Sequence, residues 1–253
     1  MRPLFFAVLA ACFALAALAG YAASPSFELR FHNDAQPRLI AVAAASPPAF
    51  SNSVRLKLPA VSKSGQGALA DFTAAAATGE GRLFLRFDTG SPLANPDTQT
   101  SLRTAFDVAT RLCGQDASKI DVYYYFNADS DVVGGQSAGA AMAVATLSAI
   151  TGTPLRSDAL ITGILDSDGS IGRVGKVLAK AKAAKAAGYS VLLVPVGESR
   201  EITYAEKCKN ERIDGGYYQT CSSEPMEVSV ASESGMEIIE VSDVQEAFEI
   251  MKG

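Results

Sequence analysis

The sequence contains one histidine, His32, in a segment that is predicted to be a linker. A serine peptidase with a histidine base would therefore have to use His32, which excludes the common triads in practice. The four cysteines form no Cys-x-x-Cys pair and no Cys/His cluster, so we expect no metal site and no cofactor. The chain also lacks a Gly-x-x-x-x-Gly-Lys-Ser/Thr loop, so we expect no ATPase in it.

Positive charge is scarce as well. The 22 Lys and Arg residues face 27 Asp and Glu residues, which gives a formal net charge of −5. The longest basic run, Lys176–Lys185, is diluted by alanine and is typical of a solvated helix face. Nucleic-acid-binding domains present a clustered basic surface, so no nucleic-acid partner is expected.

The N-terminal segment carries the one long apolar run. Residues 4–23 read LFFAVLAACFALAALAGYAA without a charge, behind Arg2. Two interpretations stay open: a secretory signal peptide cleaved after Ala22, or a retained membrane anchor. Both predict an extracytoplasmic protein, secreted or anchored to the membrane. We therefore divide the chain into a signal peptide or anchor (1–23), a proline-containing linker (24–50) and one folded domain (51–253).

Two of the cysteines are predicted to form a disulfide. Cys208 and Cys221 flank twelve mostly polar residues that are predicted to form a surface loop. In an oxidising compartment, such a pair forms a disulfide. Cys113 lies on the apolar side of a predicted helix, where we expect a buried free thiol.

Hydrophobic periodicity predicts an α+β fold. Strands and helices are mixed without a strict βαβ repeat. Pro59 predicts that the first strand is an edge strand, and Ser242 with Gln245 predicts a capping box at the last helix. The predicted strands are 54–61, 82–87, 120–126, 159–165, 190–195 and 238–241, and the predicted helices are 97–113, 137–151, 176–187 and a last one from residue 242.

The most specific pattern lies between residues 134 and 195. A Gly-Gly-Gln-Ser-Ala-Gly turn (134–139) precedes an apolar helix, and Ile161-Thr162-Gly163 and Val174-Gly175-Lys176-Val177-Leu178-Ala179-Lys180 follow it. This block resembles, without gaps from residue 135 to 195, the proteolytic domain of Lon-type peptidases. Their nucleophile sits in a Gly-x-Ser-Ala-Gly turn, and their lysine ends an Ile/Val-Gly-Gly-Leu-Lys-Glu-Lys run.

The resemblance implies the Lon proteolytic-domain fold and a Ser–Lys dyad. Ser137 would be the nucleophile, Lys180 the general base, and Thr162 the residue that orients the lysine. Gly135 and Gln136 would form the turn and offer backbone donors to the oxyanion. The resemblance also implies polypeptide substrates and a homo-oligomeric ring.

Physical chemistry is compatible with this assignment. A serine hydroxyl needs an adjacent base, and a neutral lysine can act as one if burial lowers its pKa from about 10.4 to about 7–8. Apolar residues surround Lys180 at helical spacing, namely Val177, Ala181 and Ala184. Lys176 lies one turn earlier on the same face, and the spacing of the block selects Lys180 instead.

Three functions stay open from the sequence. The preferred one is an ATP-independent serine endopeptidase that cleaves unfolded or flexible polypeptides outside the cytoplasm. Departures from the family's Asp-Gly-Pro-Ser, where this chain has Gly134 and Gln136, leave open a catalytically inactive binding or scaffold module. A small-molecule kinase with a glycine-rich phosphate loop is the third hypothesis.

Overall fold

The structure is a computed structural model that describes residues 52–86, 93–128, 132–133 and 135–253. The predicted export segment (1–23), the predicted linker (24–50) and Gly134 lie outside the described residues. Within the described part of the chain, no helix is long and apolar enough to cross a membrane. The mixture of strands and helices confirms the predicted α+β class.

A four-stranded mixed sheet forms the first half of the domain, in the order β1-β2-β5-β3. The β1–β2 and β2–β5 pairs are antiparallel, whereas β3 and β5 are parallel. The first strand lies at the sheet edge, as Pro59 predicted. Two short strands, β4 and β6, pair parallel to each other. The strand bounds are β1 (Asn52–Val61), β2 (Gly67–Thr78), β3 (Leu83–Arg86), β4 (Leu93–Ala94), β5 (Ile120–Asn127) and β6 (Val132–Val133).

The described residues form five α-helices: α1 (Pro96–Leu112), α2 (Gly139–Thr151), α3 (Val177–Ala186), α4 (Val230–Ser234) and α5 (Val244–Met251). In α2 every residue from 139 to 149 is buried, because its sequence is apolar on all sides. The helix therefore lies inside the domain, against α1, β1 and β2. The cap of α5 differs from the prediction: Asp243, not Ser242, accepts a hydrogen bond from the Glu246 N–H at 2.9 Å.

The second half contains a three-stranded parallel sheet in the order β13-β10-β7. Its strands are β7 (Ala159–Ile161), β10 (Val191–Pro195) and β13 (Glu237–Val241), and the short antiparallel pair β8 (Ile164–Leu165) and β9 (Ile171–Gly172) follows β7. The predicted strand 159–165 is thus interrupted at Thr162-Gly163. This interruption directs the chain toward the turn that carries Ser137.

Helix α3 lies directly on β2. A Cβ atom at Gly67 would be 2.0 Å from the carbonyl oxygen of Ala179, so only glycine fits there. The rest of β2 is rich in alanine, and its small side chains allow the helix that carries Lys180 to approach the sheet closely. Alanine has a low β-propensity, so the sequence pattern does not predict this strand.

A long β-hairpin replaces the surface loop that was predicted around the two cysteines. It consists of β11 (Arg200–Ile213) and β12 (Gly216–Ser229), joined at Asp214-Gly215 with Gly215 at φ 97°. Cys208 and Cys221 lie directly opposite each other, and the predicted disulfide joins them with a Cα–Cα distance of 4.0 Å. Cys113 is a free thiol as predicted, but it is half-buried instead of buried.

We expect the disulfide to stabilise the hairpin. Replacing Cys208 and Cys221 together by serine should lower the free energy of unfolding by about 3 kcal/mol, since the crosslink restricts the unfolded chain. Denaturant unfolding of the double variant and of a Cys113→Ser control measures this loss. An unchanged midpoint in the double variant would contradict the expectation.

Candidate active site

Ser137 sits in a tight turn at the start of the buried helix. Gly135 precedes it at φ 97°, a conformation that L-residues with side chains rarely adopt. Gln136–Ala138 then form one 3₁₀ turn that leads into α2. The sequence predicted that helix 137–151 begins at Ser137, whereas α2 begins at Gly139. The serine is half-buried and is therefore partly accessible to a substrate.

The turn is held by the chain that follows β7. The Ser137 carbonyl oxygen accepts two hydrogen bonds, from the Gly163 N–H at 2.9 Å and from Thr162 Oγ1 at 3.0 Å. Gly163 in turn accepts a bond from the Ala140 N–H at 3.1 Å. Gly163 lacks space for a side chain, since a Cβ there would lie 2.3 Å from Ile171 Cγ2. The serine backbone therefore has a fixed position relative to Thr162.

Lys180 is buried in α3 and reaches the same threonine. Its side chain is only 1% exposed, and Nζ donates a hydrogen bond to Thr162 Oγ1 at 3.0 Å. Lys182 and Lys185 on the same helix are exposed. The structure thus connects Lys180 Nζ to the Ser137 carbonyl oxygen through one hydroxyl group. Within the described residues, no direct hydrogen bond joins Nζ to Ser137 Oγ.

The surroundings of Lys180 favour a neutral amine. Burial lowers the pKa of Lys180 from 10.5 to about 8, and the negative charges of Glu198 and Glu201 oppose part of this change. A lysine with this pKa is partly deprotonated near neutral pH, so it can accept a proton from a hydroxyl group.

Two negatively charged residues act on Lys180: Glu198, which lies between β10 and the hairpin, and Glu201, which is the second residue of β11. Glu198 is 7% exposed and forms an ion pair with Arg173 Nε at 2.7 Å. Glu201 Oε2 accepts a hydrogen bond from the Leu178 N–H at 2.7 Å, in the first turn of α3. No local sequence pattern indicates a role for either glutamate. Glu201, for example, contacts the start of α3 at a separation of 23 residues in the chain.

An open cleft lies beside the start of α3. Its volume is about 540 Å³, and it separates the segment before α3 from the base of the hairpin. The charged residues of its wall are balanced in sign: Arg173, Lys176, Arg200, Glu198, Glu201 and Glu227. Since Glu198 and Glu201 also influence Lys180, this cleft is close to the buried amine.

The turn at Ser137 offers backbone donors. The N–H groups of Gln136 and Ser137 are the first donors of the 3₁₀ turn, so they have no partner within it. No hydrogen bond between described residues uses either group. Two adjacent free N–H groups beside a nucleophile are suited to bind an oxyanion. Gln136 was predicted as such a donor, and Ser137 adds its own amide.

Lys176 has a different environment from Lys180. It is exposed, precedes the first residue of α3, and has φ 61°, the one positive φ among the described non-glycine residues. The left-handed region costs a residue with a side chain about 1–2 kcal/mol. The geometry therefore agrees with the choice of Lys180 over Lys176 as the candidate base.

We expect Lys176→Gly to raise the free energy of unfolding by about 1 kcal/mol, because glycine adopts this backbone conformation without strain. Lys182→Gly is the matched control on the same helix. Lys182 has a helical φ, so Lys182→Gly should lower the free energy of unfolding by about 1 kcal/mol. Denaturant unfolding measures the stability of both variants. A lower free energy of unfolding in Lys176→Gly than in the parent would contradict the expectation.

Comparison with known proteins gives a family for this region. Residues 109–214 match the family model of the Lon protease (S16) C-terminal proteolytic domain. The Archaeal Lon protease of Pyrococcus abyssi is 31% identical over 107 residues, which are 42% of this chain and 11% of that protein. The Archaeal Lon protease of Thermoplasma acidophilum is 34% identical over 99 residues, 39% of this chain and 14% of that protein.

A bacterial relative matches a longer segment. Lon protease 2 of Syntrophobacter fumaroxidans is 28% identical over 125 residues, 49% of this chain and 16% of that protein. The chain thus spans less than about a fifth of the length of these relatives. The matched region of the family model contains Ser137, Thr162 and Lys180.

Proposed function

We propose that this chain, whose residues 109–214 match the Lon protease (S16) C-terminal proteolytic domain, is a serine peptidase of the Lon type with Ser137 as nucleophile and Lys180 as general base. One observation carries the assignment of the base. Lys180 is a buried lysine with a lowered pKa, and a single hydroxyl group, that of Thr162, connects it to the backbone of Ser137.

The chemistry follows from these positions. The neutral amine of Lys180 accepts the proton of Ser137 Oγ while Oγ forms a bond to the substrate carbonyl carbon, whose π electrons move to its oxygen. The N–H groups of Gln136 and Ser137 donate hydrogen bonds to that oxyanion. The amide C–N bond then breaks, and Lys180 returns the proton to the leaving amine. Water, deprotonated by Lys180, hydrolyses the resulting ester in the same way.

Substrate binding has to bring Ser137 Oγ within hydrogen-bond reach of Lys180 Nζ. Catalytic hydrogen bonds are often absent without substrate and form in the complex. Thr162 Oγ1 is hydrogen-bonded to Lys180 Nζ and to the Ser137 carbonyl oxygen, each at 3.0 Å. The backbone of Ser137 is therefore fixed relative to the amine, and only the side chains of Ser137 and Lys180 have to move.

We further propose that the protein acts on unfolded or flexible polypeptides without ATP. A folded protein rarely presents an extended segment to a peptidase groove. The apolar segment 4–23 supports an extracytoplasmic location, secreted or membrane-anchored, where ATP is scarce. A homo-oligomer is proposed on family resemblance.

Cleavage of an unfolded protein tests the function. We expect the purified protein to cleave reduced, carboxymethylated lactalbumin in buffer without nucleotide, and we expect added ATP to leave the rate unchanged. Absence of cleavage at pH 9, where Lys180 is mostly neutral, would contradict the proposal. Cleavage only with ATP would contradict the ATP-independent part of it.

An inactive binding module is the second candidate. The observation that favours it is the absence of a direct hydrogen bond between Ser137 Oγ and Lys180 Nζ within the described residues. Such a module would bind the unfolded protein without cleaving it at any pH. The cleavage assay combined with a binding assay therefore distinguishes the two functions.

The rate should depend on the protonation of Lys180. We expect kcat/KM to rise with pH around a midpoint near 8, since only the neutral amine accepts the serine proton. Glu198→Gln removes a negative charge that raises the pKa of Lys180, so its midpoint should move to lower pH. Glu249→Gln, an exposed control, should leave the midpoint unchanged. A flat profile from pH 5 to 9 would argue against a lysine base.

A further inference from the structure

The hairpin has two outer edges. In the described part of the chain, β11 and β12 pair only with each other, so each strand presents its other side to solvent. Unpaired edges are sites where another extended chain can add as a strand, and natural proteins usually protect them. The hairpin's second strand also lies beyond the family match, which ends at residue 214 in the hairpin turn.

The disulfide identifies which backbone groups point outward. Cys208 and Cys221 are 4.0 Å apart at Cα, the short distance of a non-hydrogen-bonded antiparallel pair. In such pairs the N–H and C=O groups point away from the partner strand. Every second pair along the two strands shares this state. Glu206 with Ser223, and Tyr204 with Pro225, are therefore outward-pointing pairs as well.

Proline protects one edge and leaves the other open. Pro225 has no N–H, so the outer edge of β12 lacks a donor at that position. From Arg200 to Ile213, β11 contains no proline. Its outward N–H and C=O groups at Ile202, Tyr204 and the following even positions form an uninterrupted edge. Strand addition is therefore favoured on β11 and disfavoured on β12.

The open edge carries apolar side chains and begins at the cleft beside α3. Ile202 and Tyr204 lie on one face of the hairpin and are 64% and 72% exposed. Ile202 also lines the cleft beside α3. Its neighbour Glu201 bonds to the Leu178 N–H, two residues before Lys180. The edge of β11 is thus continuous with the surroundings of the candidate base.

We propose that the outer edge of β11 is a docking strand for extended polypeptide substrates, which add to it by backbone hydrogen bonds and place apolar or aromatic side chains against Ile202 and Tyr204. The proposal rests on the proposed peptidase function and names the surface that receives the substrate. Backbone hydrogen bonds can form with a substrate of any sequence. An unfolded substrate also exposes apolar side chains that a folded protein buries, and these can contact Ile202 and Tyr204. The disulfide keeps the strand in a fixed register.

A proline placed on the open edge tests the proposal. Tyr204→Pro removes one outward N–H and one aromatic side chain from β11. The outer edge of β12 already lacks an N–H at Pro225. Ser223→Pro is the matched control, since Ser223 is an outward position on the edge that Pro225 already interrupts. Two substrates are compared: carboxymethylated lactalbumin and a fluorogenic tetrapeptide, whose extended backbone spans at most about 14 Å and can pair with only a short part of β11.

We expect Tyr204→Pro to raise KM for the unfolded protein about tenfold, without a change in kcat or in tetrapeptide kinetics, because one backbone hydrogen bond and the aromatic contact of Tyr204 are lost together. Ser223→Pro should behave as the parent does with both substrates. A parental KM of Tyr204→Pro for the unfolded protein overturns the proposal. If that variant does not fold by circular dichroism, Tyr204→Ser replaces it, and the expected rise is about threefold.

A binding measurement separates this proposal from the proposed function. In a Ser137→Ala background, the anisotropy of fluorescein-labelled carboxymethylated lactalbumin reports docking without cleavage. Tyr204→Pro should raise its Kd about tenfold there even if the parent cleaves no peptide at all. Light scattering should give the same mass for both forms. A lower mass for Tyr204→Pro would assign the edge to self-association and overturn the docking proposal.

Discussion

Replacing Ser137 by alanine should abolish peptide cleavage and leave the fold intact. Without its hydroxyl group, no acyl intermediate can form, so we expect kcat/KM for an unfolded protein to fall by at least about 10³-fold. The free energy of unfolding should change by less than about 0.5 kcal/mol, because Ser137 is half-buried and no hydrogen bond between described residues uses its hydroxyl group.

Two measurements check this result. Cleavage kinetics of Ser137→Ala are compared with those of Ser232→Ala, an exposed serine in α4, which should cleave at the parental rate. Denaturant unfolding establishes that both variants fold. Cleavage by folded Ser137→Ala at the parental rate would mean that another residue is the nucleophile.

Lys180→Met should be inactive and more stable than the parent. Methionine fills the buried site without a charge but cannot accept a proton, so cleavage should fall by at least about 10³-fold. In the parent, burial lowers the pKa of Lys180 to about 8, which means that folding disfavours the charged amine. Removing that group should raise the free energy of unfolding by about 3 kcal/mol at pH 7, less the lost bond to Thr162.

The gain in stability of Lys180→Met should decrease as the pH rises. The cost of the buried amine is present in full below about pH 8 and disappears as the pH rises from 8 to 10.5, where the unfolded chain also loses its proton. The stability difference between Lys180→Met and the parent should therefore shrink across that interval. Lys182→Met, on the exposed side of α3, is the control and should show no such change. A pH-independent difference would contradict the burial argument.

Lys180→Arg separates charge from basicity. It keeps a cation at the site, but a guanidinium group stays protonated at all accessible pH values and cannot act as a base. We therefore expect it to be as inactive as Lys180→Met without the gain in stability. Activity in Lys180→Arg would exclude the general-base role.

Much of the secondary structure could be predicted from the sequence, because its elements have strong local patterns. The amphipathic helix α1, the aromatic strand β5 and the apolar helix α2 lie within two residues of their predicted bounds. Strand β2 was missed because alanine favours helices, and its small residues are explained only by the close approach of α3.

The hairpin was missed for a different reason. Its strands are polar and exposed, so they have no apolar alternation of the kind that marks a half-buried strand. The Asp214-Gly215 pair is a turn signal typical of hairpins and could have indicated it. The cysteine pairing was predicted correctly, from the spacing of Cys208 and Cys221 and the expectation of an oxidising compartment.

The sequence predicted which residues form the candidate site, but not how they are arranged in space. The block from residue 135 to 195 identified Ser137, Thr162 and Lys180, and the structure brings the three together through two hydrogen bonds. Their catalytic roles stay predictions. Glu198 and Glu201 approach Lys180 through tertiary contacts that no local pattern encodes. The missing bond between Ser137 Oγ and Lys180 Nζ could not be inferred from spacing either.

The pH dependence of Ser137 labelling by a fluorophosphonate tests most directly whether Lys180 activates Ser137. Intact mass and peptide mapping give the rate of modification at each pH, without any assumption about the substrate. We predict that parental labelling occurs at Ser137 and accelerates with pH around a midpoint near 8, whereas Lys180→Met reacts at a low, pH-independent rate. Labelling of Lys180→Met at the parental rate, or parental labelling at a serine other than Ser137, would contradict the account.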